Sequence, residues 1–314
     1  LSIFRYSYQE ENISIKYVTN NLDKDDLCKL LCLALQNGHA EAIKVYIEGI
    51  SNLSGINKQQ LLAAKRENDG TPGLFIALQQ GHAEAIKVYI EAIFNLNGID
   101  IQELLAAKTP DGGSGLFIAL QNGHAEAIKA YIDAISNLSG IDKQELLAAK
   151  ISDGTPGLFM ALQNGHAEAI KAYIEAISNF PGIDKQGLLA AKRQNGTPGL
   201  FMALQKGHAE AIKAYIEGIS NFPGIDKQEL LAAKKQDGTP GLCAALYNGY
   251  AEAIKAYIEG IFNIPGINRR ELLTAKTPDG TPGLNIALQQ GHSQAAKTYK
   301  ETISKFMMLR NGLP

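Results

Sequence analysis

Tryptophan is absent from this chain of 314 residues, and cysteine nearly so, with only Cys28, Cys32 and Cys243. Three thiols cannot make the framework of bridges that holds small secreted domains together, which points to a reducing, cytoplasmic compartment. Charge of one sign is also lacking: 30 lysines and arginines face 32 acidic residues, a formal net charge of -2, so no nucleic-acid partner is expected. Long hydrophobic runs are missing too. Leu30 to Leu35 and Leu116 to Leu120 are among the longest, far short of the ~20 residues that cross a bilayer, so no membrane partner is expected. No signal-peptide pattern opens the chain. It begins at Leu1 rather than methionine, and is read as a segment of something larger.

What the chain has in abundance is itself. The string Gly-His-Ala-Glu-Ala-Ile-Lys, or a close variant, places its second residue at His39, His82, His124, His166, His208, Tyr250 and His292, spaced by 43 residues once and 42 thereafter. A fixed period in this range marks a solenoid or a propeller, and local patterning decides between them. In the unit beginning at Asp153, Gly154-Thr155-Pro156-Gly157 is a turn that opens a short, nearly all-apolar helix, Leu158 to Gln163, stopped by Asn164-Gly165. This is helix A. Next, Ile170, Tyr173, Ile174 and Ile177 recur at i, i+3, i+4 and i+7, with Glu168, Lys171 and Glu175 on the other side. That is an amphipathic helix B, with Asn179 expected at a left-handed C-terminal cap. Then Asp226-Lys227-Gln228-Glu229 precedes Leu230, Leu231 and Ala232, predicting a short helix C in which Asp226 caps the first turn and Glu229 reaches back. No unit shows the alternation of a strand, so the fold class is all-α, an α-solenoid of seven units of about 42 residues.

The domain organisation expected is an N-terminal cap or upstream remnant over 1–26, a solenoid over 27–306 and a tail over 307–314. In the first segment, alternating Ile13, Ile15 and Tyr17 suggest a strand or a covering segment. In the last unit, the helix B isoleucines give way to Ala296 and Lys300, as expected where no further unit covers that face. Met307, Met308 and Leu309 are placed to fold over the open end or to begin a downstream domain.

The unit resembles the ankyrin repeat, whose order of turn, helix, Gly-His and second helix is followed by Asp153-Gly154-Thr155-Pro156, Ala161-Leu162, Gly165-His166 and Glu168. Two features depart from that pattern. An added glycine, Gly157, lengthens the helix A start, with Phe159 where the family has histidine. Helix C occupies the region where ankyrin units run into a β-hairpin finger, which brings the period near that of armadillo and HEAT units and makes their three-helix stack the alternative architecture. Lengthened ankyrin-like units are similar to arrays in bacterial effector proteins. The resemblance implies a protein-binding scaffold with a concave face, secreted into a host cell if the chain is an effector.

Catalysis needs one constellation, whereas nearly every polar feature here recurs in several copies, and no phosphate loop, nucleophile elbow or zinc-protease helix is present. The chain is read as not an enzyme, with no cofactor. A metal row along the histidines is opposed by geometry. Stacked helices sit ~8–10 Å apart, too far for two imidazoles to share an ion bound at ~2.1 Å. Each histidine is instead expected to start helix B and hydrogen-bond the preceding turn. Cys32 and Cys243 occupy the slot of Phe75, Phe117, Phe159 and Phe201, and are read as small buried hydrophobes. The tyrosine row from Tyr46 to Tyr299 is read as core. The lysine row from Lys44 to Lys297 alternates with glutamates, as on Glu168 and Lys171, and reads as a solvated face.

The positions that differ between units are where a solenoid can encode recognition. After the Ala-Ala-Lys of helix C they are Arg66-Glu67-Asn68, Thr109-Pro110, Ile151-Ser152, Arg193-Gln194, Lys235-Gln236 and Thr277-Pro278. Arg66, Glu67, Ile151, Arg193, Gln194, Lys235 and Gln236 are therefore the candidate contacts to a protein partner, on loops carried by a rigid scaffold. Phe94 and Phe262, where other units have serine, form a second set. The alternative function is a solenoid that recruits substrate for a catalytic domain outside this segment. A self-associating array is the third.

Overall fold

The computed structural model describes residues 23–51 and 57–310. The strand expected around Ile13 to Tyr17, and the packing expected of Met307, Met308 and Leu309, lie outside what it describes. The described part of the first repeat comprises α1 (Lys24–Gln36), α2 (Ala40–Ser51) and α3 (Lys58–Leu62). The second has α4 (Gly73–Gln80), α5 (Ala83–Phe94) and α6 (Ile101–Ala106), and the third α7 (Gly115–Asn122), α8 (Ala125–Ser136) and α9 (Lys143–Ala148). The pattern continues through α10 (Gly157–Asn164), α11 (Ala167–Ser178) and α12 (Lys185–Ala190), then α13 (Gly199–Lys206), α14 (Ala209–Ser220) and α15 (Lys227–Leu231). It ends with α16 (Gly241–Asn248), α17 (Ala251–Asn263) and α18 (Arg269–Leu273), followed by α19 (Gly283–Gln289) and α20 (Ser293–Arg310). Among the described residues no strand forms, and β-structure is limited to isolated bridges. The fold is an α-solenoid of three-helix repeats. None of the described helices is long and apolar enough to cross a membrane.

The described residues divide into two compact units, one made of those up to Ala119 with Glu126–Ala149, the other of Leu120–Ala125 with those from Lys150 onward. In the second unit each helix packs on its counterpart one repeat on: α10, α13, α16 and α19 form a row of A helices, and α11, α14, α17 and α20 a row of B helices. In the first unit α1 packs on α4, and α2 on α5, in the same way. In these pairs each helix covers the apolar face of its counterpart one repeat before.

Local chemistry sets the element ends. Pro156, Pro198 and Pro240 stand at the N-caps of their A helices in extended conformation, and the next residue, glycine, is the first helical one. That glycine is the departure from the ankyrin pattern, and the packing accounts for it. A Cβ on Gly199 would lie 2.8 Å from Cδ1 of Leu162 and 3.1 Å from Cα of Phe159, and one on Gly241 would lie 2.7 Å from Cδ1 of Leu204. The A helices approach too closely there for a side chain. Each ends at a left-handed glycine, such as Gly165 at φ 80°.

The left-handed residue expected at Asn179 lies elsewhere. Asn179 is right-handed, and the chain runs on through a tight turn in which the Phe180 amide donates to the Ile177 carbonyl and the Phe180 ring is buried. The reversal falls at Gly182, φ 73°. Helix C starts as expected: the Asp226 side chain accepts from the Glu229 amide at 2.9 Å, and Asp100, Asp142 and Asp184 cap their own helices alike. The Glu229 carboxylate does not reach back. It turns to the preceding C helix, accepting from Lys192 Nζ at 2.8 Å and Gln186 Nε2 at 3.0 Å, because two donors there outcompete one backbone amide.

The tyrosine row is core, and it has a second task. Tyr89, Tyr215 and Tyr257 are each 1% exposed, and their hydroxyls donate to the carbonyls of Leu62, Leu189 and Leu231 at 2.8 to 2.9 Å. Those carbonyls belong to the C helix preceding each tyrosine in the chain, too short to satisfy its own C-terminal acceptors. One buried hydroxyl therefore ties helix C to helix B, and burial pushes these phenols well above their ordinary pKa.

Candidate interaction surface

After helix C the chain makes a compact turn before the next A helix. In the turn after α12, the Arg193 amide donates to the Thr197 carbonyl at 3.0 Å and the Gly196 amide to the Arg193 carbonyl at 2.9 Å. The Asn195 side chain accepts from the Thr197 amide, and Lys192 bridges Pro198 in antiparallel fashion. The turns at Ile151 and Lys235 repeat these bonds, with Asp153 and Asp237 in the asparagine position. Bonds from Thr155 and Thr239 hold those two carboxyls below the usual carboxylate range. So helix C does not replace the hairpin finger of the ankyrin pattern. It is inserted ahead of a finger reduced to one bridge. The single extra residue that makes the first spacing 43 falls in the earliest turn, where the Arg66 amide still reaches the Thr71 carbonyl at 2.8 Å and Lys65 still bridges Pro72.

Within this turn the variable residues divide into two kinds. Arg66, Ile151, Arg193 and Lys235 are half-buried, whereas Glu67, Gln194 and Gln236 are exposed at the tip. Arg193 and Lys235 lie over rings of the preceding A helices, the guanidinium carbon 4.5 Å from the Phe159 centroid and the ammonium 4.8 Å from the Phe201 centroid. Arg66 pairs with Asp69 of its own turn, and Glu67 with Lys29 at 3.0 Å. The structure thus places the predicted residues in equivalent turns and commits part of several of them to the framework.

The Gly-His position lies at the other end of helix A from this turn. The His82 Nε2 lies 3.0 Å from the Gln36 carbonyl oxygen, and the His208 Nε2 3.1 Å from that of Gln163. Each ring covers the left-handed glycine that ends the preceding A helix, where a Cβ on Gly38 or Gly165 would come within 2.7 Å of it. The partner is a carbonyl in the preceding repeat rather than the nearby turn expected from sequence. Desolvation lowers the His208 pKa, and the bond to Gln163 offsets part of that shift. Among the described residues, no group of three or more His, Cys, Asp or Glu is arranged to hold a metal ion. Cys32 and Cys243 are buried, and burial raises the Cys243 thiol to about 11.

One repeat breaks the pattern along this edge. Tyr247 replaces the glutamine at the end of helix A, and Tyr250 replaces the histidine. They are 53% and 39% exposed, large apolar surface at positions that are otherwise polar. Tyr250 also borders a shallow groove lined by Gln163, Asn164, His166, Lys206 and His208. From the sequence, Tyr250 stood only as the odd member of the histidine row, and Tyr247 was passed over. The signal was present, as two substitutions three residues apart in an otherwise repetitive string. Of the second set, Phe94 is 42% exposed, whereas Phe262 stacks on Phe306 with centroids 4.4 Å apart.

No protein-family profile matches the chain, and no curated protein matches it. Solved structures do. The human ASB11 ankyrin repeat domain is similar over 87% of this chain and 96% of its own, with a TM-score of 0.52 at 18% identity. The ankyrin repeat domain of Bcl-3, described as a unique member of the IkappaB protein family, is similar over 82% of this chain and 92% of its own, with a TM-score of 0.56 at 15% identity. The repeats therefore have the ankyrin fold, lengthened by helix C.

Proposed function

We propose that this ankyrin-type array is a protein-binding scaffold acting by recognition rather than turnover, and that its contact surface runs along the A helices, from the tips of the turns at one end to the Gly-His edge at the other. The observation that carries the reading is the exposed pair Tyr247 and Tyr250. Framework positions along this surface are spent on contacts that repeat from unit to unit, such as His208 on Gln163 and Arg193 on Phe159. The two tyrosines are instead unique to one repeat, and tyrosine is enriched among the residues that dominate interface energetics. Gln194 and Gln236 at the turn tips would supply adaptable hydrogen bonds at the other end of the A helices, and Lys206 a charge in the groove beside Tyr250.

The test uses substitutions already compatible with the fold, since other repeats hold glutamine and histidine at these two positions. Affinity capture with mass spectrometry compares the chain with Tyr247→Gln/Tyr250→His and with Gln194→Ala/Gln236→Ala, against bacterial and eukaryotic lysates. A protein retained by the parent and lost from the tyrosine variant supports the assignment. Its lysate of origin separates a role in the producing cell from that of an effector in a host. A protein retained equally by both variants removes the binding surface from this edge.

A further inference from the structure

The C-terminal end of the helix C row holds a cavity of about 910 Å³. Its apolar wall is Phe262, Leu273, Leu284, Tyr299, Ile303 and Phe306, and Arg269, Arg270 and Lys276 also line it, with no carboxylate among the lining residues. Leu284, Tyr299 and Ile303 are half-buried, although their counterparts one repeat earlier, Leu242, Tyr257 and Ile261, are at most 1% exposed. The stacking of Phe306 on Phe262 gives the cavity a side wall, made by the part of α20 that extends beyond the length of the other B helices.

Earlier repeats show what such a place receives. In the second unit, Gln186 and Lys192 converge on Glu229 of the next C helix, and the Gln186 side-chain oxygen accepts from the Asp226 amide at its cap. Gln228 and Lys234 hold Glu271 and the Asn268 amide in the same way. In the first unit Gln102 and Lys108 do so for Glu145 and the Asp142 amide. Arg270 and Lys276 stand 42 residues after Gln228 and Lys234, so they occupy the donor positions of this rung. Both are exposed, and neither has a carboxylate partner among the described residues. Arginine in the glutamine position changes a polar donor into a cation with a two-pronged fork for carboxylate.

We infer that this cavity is a docking socket for a partner protein's short helical turn of the helix C type: a capping Asp or Asn, a glutamate three residues on, and two leucines directly after it. The glutamate would sit between Arg270 and Lys276, and the leucines against Ile303, Phe306 and Tyr299. The internal template of the earlier rungs and the unpaired charges of Arg270 and Lys276 both favour this occupant, independently of the edge bearing Tyr247.

The experiment titrates the isotope-labelled full chain with a synthetic peptide of residues 222–234, followed by NMR. Saturable shifts at residues lining the cavity are expected. Glu229→Lys in the peptide should weaken binding about tenfold, as should Arg270→Glu/Lys276→Glu in the chain, and combining the two should restore much of the loss. Both altered residues of the chain are exposed, so the fold is retained. Phe306→Ala should weaken the unaltered peptide independently of charge. Absence of saturable shifts overturns the inference, and so does affinity indifferent to the charge swap. Ultracentrifugation of the chain alone supplies the remaining check: a self-associated species dissolved by Arg270→Glu assigns the socket to a second copy and overturns the partner.

Discussion

The ε2 nitrogen of His208 faces the backbone oxygen of Gln163 across a repeat boundary, 3.1 Å away, in surroundings that lower the imidazole pKa by desolvation. The unfolded chain then binds a proton at this site more readily than the folded chain. The contribution of His208 to stability is complete above the unfolded value near 6.5 and is lost as pH falls through the folded value. Melting curves between pH 7.5 and 5.5 should show Tm falling, and His208→Tyr, the residue found at position 250, should reduce that fall. An unchanged fall would deny His208 this role.

A second acid limb lies lower. Lys192 and Gln186 hold the Glu229 carboxyl below its ordinary range, with Lys192 the larger cause. Stability from this rung is present above the unfolded value near 4.5 and lost as pH drops through the folded one. Both partners are substantially exposed, so solvent screening keeps the contribution small, and Glu229→Gln should cost less than about 1 kcal/mol at neutral pH in urea melts.

Removing the Tyr215 hydroxyl should cost more than its size implies. Tyr215→Phe keeps the buried ring but leaves the Leu189 carbonyl without its donor, a loss of about 1–3 kcal/mol. Hydrogen exchange should localise it, with faster exchange in α12 and α14 than in α17. Uniform acceleration across the second unit would contradict this.

At the start of α13, Gly199→Ala adds one methyl where a Cβ meets both Leu162 and the backbone of Phe159. Overpacking of this kind costs about 1–3 kcal/mol, opposite in sign to the usual gain of alanine over glycine in a helix. The pair Gly199→Ala and Leu162→Ala should be less destabilised than the sum of the two singles, measured as a double-mutant cycle.

What could be read from the sequence was local. The period follows from one string recurring every 42 or 43 residues, and the three helices and the cap at Asp226 from residues within a turn or two of one another. Bonds that cross repeats were not legible: Tyr215 to Leu189 and His208 to Gln163 join positions 26 and 45 residues apart. The row of identical tyrosines announced burial, but not the carbonyl each one satisfies. Gly157 stood out as a departure, yet its counterpart Gly199 is explained only by the approach of α13 to Leu162 and Phe159. Asn179 marked a helix end correctly and the conformation wrongly, because burial of Phe180 carries the turn on to Gly182. For the surface, comparing repeats found the variable turns, but not that Arg193 and Lys235 lie over the aromatic rings of the preceding repeat.

The extra residue in the Arg66 turn leaves both the Lys65 to Pro72 bridge and the amide bond to Thr71 in place. Reach at that tip is therefore decoupled from the stack behind it. In the proposed reading the turns are independent keys on a common frame, and a binding surface of this design could be re-cut one tooth at a time, by insertion as well as by substitution, while the frame keeps its spacing.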